Sequence, residues 1–390
     1  MSHDARSVVT PPVRGMAARS PHEPHRIATP LELFFDLVFV IAVAEASRGL
    51  HHGIAEAHTI EALGSFALSF FALWWAWVNF TWFASAYDCD DVPYRLLVLV
   101  QMTGALIVAA GIPAVFETHQ AGPIAVAGYV VMRLAGVTQW LRAARADPPR
   151  KVTAFRYAGG IAVLQVAWIA MLFLPAGREI AAAVLIAGEM AVPAWAESAA
   201  PTPWHPHHIA ERHGLFTLIV LGESVLAATL AVQAGRESGE TLAHLAPTIA
   251  GGLLTVFSMW WIYFDRPAHD LLTAFWRTFR WAYAHYFILA SAAAVGAGLA
   301  VNVDVVMHKA HVGPAGAGFA VAIPVAIFVL MLWAVHRRPE DRRTWLLGPV
   351  AAAGALLMPL TPAPVLGIGL WLAAIVTVKH AMTPRHAAAH

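Results

Sequence analysis

From Leu31 onward the chain is a succession of apolar blocks, each about 20 residues long, the length a helix needs to cross about 30 Å of hydrocarbon at 1.5 Å per residue. The blocks fall near 31–49, 60–84, 94–116, 121–143, 157–175, 179–197, 210–233, 242–264, 280–301, 314–336, 344–360 and 363–380. Each is expected to be helical, because lipid offers no partner to an unpaired backbone group. Charged residues make up 13% of the 390, against about a quarter in soluble domains, which is too little polar surface for a water-facing protein of this size. The expected fold is therefore an all-α polytopic membrane protein with about twelve transmembrane helices. A formal net charge of +1 leaves no basic footprint for nucleic acid, so the expected surroundings are the lipid bilayer and a small molecule or lipid. The single cysteine, Cys89, excludes an internal disulfide and any multi-thiolate metal site.

The first 30 residues are polar, rich in Pro, His and Arg, and have no apolar core. They read as a disordered cytoplasmic tail, not a cleaved signal peptide. With that tail inside, 20 Lys and Arg fall on inner segments and 4 on outer ones, a bias that places both termini in the cytoplasm. The two halves look like copies. Trp74-Trp75 and Trp260-Trp261 stand 186 residues apart, while Arg95 and Arg280, and Gly111 and Gly296, stand 185 apart. Gly122-Pro123 and Gly313-Pro314 open the fourth and tenth spans. The expected layout is two parallel six-helix repeats, 31–197 and 210–380, joined by a linker at 198–209 and followed by a tail at 381–390, an arrangement used by transporters.

An ionisable side chain at mid-bilayer costs on the order of 3 kcal/mol or more, so each needs a partner or a purpose. Glu32 and Asp36 lie one turn apart on one helix face, and Arg212 and Glu223, eleven apart, return to within roughly 20° of one face. Arg133 and Glu189 sit near the middles of the fourth and sixth spans. Pro193, four residues after Glu189, removes the amide that would bond the Glu189 carbonyl. The structural reading pairs Arg133 with Asp36 or Glu45, and places Glu32 and Glu211 at helix N-termini where a carboxylate favours the dipole. The functional reading makes Glu32, Asp36, Arg133, Glu189, Glu211, Arg212 and Glu223 an ion-coupling charge relay.

The stretch Glu32-Leu33-Phe34-Phe35-Asp36-Leu37-Val38-Phe39-Val40 resembles the opening motif of the bacterial low temperature requirement A proteins. Tyr87 through Arg95, Ala210-Glu211-Arg212 through Leu221-Gly222-Glu223, and Tyr263-Phe264-Asp265 are similar to later blocks of the same pattern. The resemblance runs from Pro30 to about His336. It implies a bacterial polytopic membrane protein, named for a role in growth in the cold, and brings no assigned chemistry with it.

Asp88-Cys89-Asp90-Asp91 is an acidic string between the second and third spans. Clustered carboxylates hold Mg²⁺, which bridges to diphosphates, and a D-x-D-D string has the form of the proton-donating acid of a terpene cyclase, kept protonated by its neighbours. Trp74, Trp75, Trp77 and Trp82 crowd the same span, where aromatic faces would stabilise a carbocation. The structural counter-reading is a solvated turn beside an interfacial aromatic belt. His205, His207, His208 and His213 lack the spacing of a helical zinc site and read as a polar linker, so no metal site is assigned. His285 is the one histidine at membrane depth.

Three functions follow from these residues. The leading one is a proton- or ion-coupled secondary transporter of a small solute, using the buried charges. The second is an intramembrane enzyme acting on a lipid or isoprenoid, with Asp88, Asp90 and Asp91 as catalytic acids and Mg²⁺ as its possible cofactor. The third is a structural membrane protein.

Overall fold

A computed structural model describes residues 13–24, 26–237, 242–272, 274–338 and 344–382. The described residues form twelve α-helices and no strand. They are α1 (Pro30–Ala55), α2 (Thr59–Tyr87), α3 (Val92–Thr118), α4 (Pro123–Ala146), α5 (Lys151–Met171), α6 (Arg178–Glu197), α7 (Pro206–Glu237), α8 (Leu242–Phe264), α9 (Phe275–Val306), α10 (Pro314–His336), α11 (Leu347–Leu357) and α12 (Pro364–Met382).

Ten of these helices are long and apolar enough to cross a membrane. The exceptions are α1 and α11. Helix α1 has the length, but it carries Glu32, Asp36, Glu45 and Arg48 along 26 residues. The block at 344–360 is not a full span: α11 has 11 residues, a rise of about 16 Å, before a 3₁₀ turn at Met358–Leu360 ends it. Pro359 removes an amide there and stops the helix. Helix α7 starts at Pro206, so the end of the expected linker is its first turn and Glu211 lies inside the helix rather than at its N-terminus.

Two compact units are distinguished. The first takes in the chain up to Phe39, Ala72–Gly111 and Gln120–Ile209; the second takes in Val40–Phe71, Ile112–His119 and Ala210 onward. In the first, α4 packs on α5 and α5 on α6. In the second, α9 packs on α10, α8 on α12 and α10 on α11. Without a hydrophobic driving force between helices in lipid, close approach depends on small residues. In the first unit, a Cβ on Gly128 would lie 2.5 Å from the Val108 amide nitrogen and 2.6 Å from the Gly104 carbonyl oxygen. In the second, a Cβ on Gly251 would run into the Val365–Leu366 backbone of α12. Gly251→Ala is therefore expected to destabilise the protein by about 1–3 kcal/mol. Gly64→Ala, in open space within α2, should gain roughly 1 kcal/mol from helix propensity. Unfolding midpoints of the two variants in one detergent check the pair.

Helices α4 and α10 start alike. Gly122 (φ −82°, ψ 168°) and Gly313 (φ −80°, ψ 171°) are both extended N-caps followed by proline, whose missing amide and fixed φ suit the first helical position.

Candidate functional site

In the first unit, one carboxylate gathers side chains from three other helices. Glu189 of α6 has no exposed surface. Its Oε2 accepts from the Arg133 guanidinium of α4 at 2.8 Å and from the Trp75 indole N–H of α2 at 3.1 Å. Its Oε1 accepts from the Gln165 amide of α5 at 2.9 Å. Arg133 also stands 5.8 Å from the Tyr129 ring centroid, and Tyr129 stacks edge-on against Trp168 at 5.9 Å. The expected partner of Arg133 was Asp36 or Glu45; the structure pairs it with Glu189 instead, because α4, α5 and α6 pack in sequence and bring the two mid-helix residues together. Asp36 accepts from the Trp77 indole N–H at 2.6 Å.

The ion pair is not saturated. Arg133 Nε, Gln165 Oε1 and Trp168 Nε1 are buried with no hydrogen-bond partner among the described residues. Buried polar groups are almost always bonded, and leaving one unpaired costs about 1–3 kcal/mol. Two donors and one acceptor beside a buried ion pair form a polar island able to take up a proton, a water or part of a solute.

Glu32 has a structural task. Thr29 Oγ1 accepts from the Glu32 amide at 3.3 Å while Glu32 Oε2 accepts from the Thr29 amide at 2.8 Å, a reciprocal capping box at the start of α1. The other oxygen lies 3.4 Å from Arg26 and 2.9 Å from His208 Nε2. The segment ahead of α1 is thereby anchored, against the expectation of a disordered tail, as far as the described residues from Val13 on are concerned. The Arg14 amide donates to Asp91 at 2.8 Å, Arg19 and Arg26 stand 3.6 and 3.5 Å from Asp88, and His205 Nε2 lies 2.8 Å from the Glu23 carbonyl oxygen.

The acidic string separates into three positions. Asp88 Oδ1 accepts from the Asp90 amide at 3.1 Å, closing a turn in which Asp90 has φ +46°, a left-handed conformation Asp tolerates better than most residues. Asp90 is bonded to Arg95 at 2.7 Å on an exposed surface. Asp91 caps α3: its Oδ1 accepts from the Tyr94 amide at 2.8 Å, and its Oδ2 receives Arg142 at 2.6 Å. Burial works against the Asp91 charge, but the Arg14 and Tyr94 amides and Arg142 outweigh it and hold the carboxyl below its usual range. Asp88 goes the other way: burial, with the Glu32 charge, pushes it up to about 6 despite Arg26 and Arg19. Each carboxylate is thus taken by a different arginine, and the string does not present the converging oxygens that Mg²⁺ requires. Among the described residues no three His, Cys, Asp or Glu side chains are grouped to hold a metal ion.

The family model for the bacterial low temperature requirement A protein matches residues 27–380. The chain belongs to this family. It is also 30% identical over 243 residues to a protein of Rhizobium meliloti (strain 1021) described as uncharacterized, an alignment covering 60% of this chain and 57% of the relative. The chain thus spans a little over half the length of that relative. No solved structure matches. Together with the ten apolar spans, the family makes this a bacterial multi-pass membrane protein.

The second unit of this family member holds the remaining expected residues. Arg212 is fully buried, and Glu223 is half-buried with Arg48 as the charge acting on it. His285 Nε2 lies 3.1 Å from the Tyr263 hydroxyl and its Nδ1 lies 2.8 Å from the Trp281 carbonyl oxygen, so it is a satisfied core histidine. The Trp281 indole N–H donates to His336 at 3.0 Å. Sequence reading missed a basin of about 560 Å³ in this unit, lined among others by Glu45, Arg48, His52, Glu56, Glu117 and His119. On α1, Glu45, Arg48 and His52 recur at helical spacing, the one signal that pointed to a polar face there.

Proposed function

We propose that this protein is a proton- or ion-coupled secondary transporter of a small solute in the bacterial inner membrane, with both termini cytoplasmic. The carrying observation is the buried Glu189–Arg133 pair with unpaired polar atoms beside it. A carboxylate at depth that exchanges its proton or its partner is the usual machinery of coupled transport. Glu189 is the coupling acid and Arg133 its counter-charge, while Trp75 and Gln165 fix the carboxylate. The unbonded atoms of Arg133, Gln165 and Trp168 are where a solute or hydration water gains hydrogen bonds. The two six-helix repeats belong to this proposal, supported by the matched starts of α4 and α10 and by the Trp and Gly spacings.

Sealed vesicles carrying the purified protein, an internal pH dye and an imposed pH gradient test the reading against pools of small solutes. A pool that dissipates the gradient with wild type should fail to do so with Glu189→Gln. Asp90→Ala, which removes only an exposed ion pair worth at most about 1 kcal/mol, should behave as wild type. Equal flux through Glu189→Gln would exclude Glu189 as the coupling acid, and loss of flux in Asp90→Ala would return attention to the acidic string.

A further inference from the structure

The ends of α10 and α12 and the start of α11 enclose a groove of about 100 Å³ within the second unit. Its walls are apolar, formed by Val329, Leu332, Ala351 and Ile375. Among the described residues its charged lining is Arg337 and Lys379. The Arg337 guanidinium stands 5.4 Å from the Trp333 ring centroid and 5.5 Å from that of Trp345. The Trp333 indole N–H donates to the Trp345 carbonyl at 2.8 Å, which fixes the two sides of this aromatic clamp. Stacking on ring faces occupies the faces of a guanidinium and leaves its in-plane N–H donors for an oxyanion. Lys379 is held at 3.0 Å by Asp265, which also lies 4.0 Å from Arg266. Among the described residues the lining therefore carries two cations, one of them paired with Asp265.

We propose that this groove binds an anionic phospholipid, with the acyl chain along Val329, Leu332, Ala351 and Ile375 and the phosphate at Arg337 and Lys379. Three observations converge on that occupant. The walls suit hydrocarbon, the cations suit a phosphate, and the tryptophans are of the type that gathers at the headgroup level. A soluble anion satisfies the cations but gains nothing from the walls. A zwitterionic lipid fills the walls but brings its own cation to a positive site. Basic pockets at the cytoplasmic ends of spans are the usual seats of anionic headgroups, and the Lys and Arg count puts the end of α10 on that face.

Native mass spectrometry of the full chain in detergent, titrated with phosphatidylglycerol or phosphatidylcholine, tests this independently of any transport measurement. Wild type should retain phosphatidylglycerol in preference to phosphatidylcholine. Arg337→Gln should weaken that retention about tenfold, the loss of one charge-assisted hydrogen bond. Arg337→Lys should keep part of it. Arg156→Gln, which removes an arginine stacked on Trp195 in the first unit, should leave it unchanged. Lys379→Gln gives the same readout if Arg337→Gln does not fold. Equal retention of both lipids by wild type, retention unaffected by Arg337→Gln and Lys379→Gln, or displacement of the lipid by inorganic phosphate alone would each overturn the proposal.

Discussion

Arg133→Met is expected to destabilise the protein by about 3–5 kcal/mol, because it leaves the Glu189 carboxylate buried without its counter-charge. The double variant Arg133→Met, Glu189→Leu should recover most of that loss. It removes both charges at once, and apolar groups of similar volume commonly replace a buried ion pair at little cost. Recovery will be incomplete, since the Trp75 indole and the Gln165 amide lose their acceptor, a loss of roughly 1 kcal/mol for each hydrogen bond. Unfolding of the three proteins in one detergent checks the stability arm. Vesicle flux checks the other. If the pair only holds α4 against α6, the refolded double variant should work; if Glu189 couples transport, the double variant should fold and be inactive. No loss in Arg133→Met would mean the ion pair does not stabilise this core.

The all-helical, multi-pass architecture was legible because lipid forces every spanning backbone into helices and the apolar blocks have the required length. The exceptions have local causes. Residues 344–360 read as a span by hydropathy, yet Pro359 ends the helical run. Residue types at the buried core were also legible: Arg133 and Glu189 each stood out as mid-span charges. Their pairing was not, since Asp36 and Glu45 were equally plausible partners until the packing of α4, α5 and α6 was known. Glu32 was legible as a helix-start carboxylate, and the Thr29-Pro30-Leu31-Glu32 pattern carries the whole capping box. In the acidic string, Asp90 is paired with Arg95 at 2.7 Å, five residues on. An Asp two residues before Pro93 is a helix-start signal, and that signal describes Asp91 better than its likeness to a metal motif. The anchored segment from Val13 escaped notice because polar composition alone suggests disorder, while its arginines meet Glu32 and Asp88, and its Arg14 amide meets Asp91, none of them predictable from composition. The basin needed residues from 45–58 and 112–119 to come together, which no local pattern encodes.

Stability is expected to fall by about 2 kcal/mol between pH 4.5 and 7 through Asp88 alone, on top of whatever the other groups contribute. Burial and the nearby Glu32 charge raise the Asp88 carboxyl from its ordinary 3.8 to about 6 in the folded protein. A raised acid favours the folded state while it stays protonated. Its contribution is fully present below the unfolded value and is lost as pH rises through about 6, for a total of roughly 3 kcal/mol. Asp91 has the opposite sign. Its carboxyl is held below its usual range, so its contribution is lost only as pH falls through still lower values, outside this window. Denaturant unfolding of wild type and Asp88→Asn across pH 4.5–7 isolates the effect, since the amide does not titrate and common contributions cancel in the difference. The wild-type curve should fall relative to the variant as pH rises. Parallel curves would mean that Arg19 and Arg26, at 3.6 and 3.5 Å, outweigh burial and keep Asp88 ionised throughout. A falling wild-type curve would instead show that the two arginines do not neutralise the cost of a buried Asp88 charge.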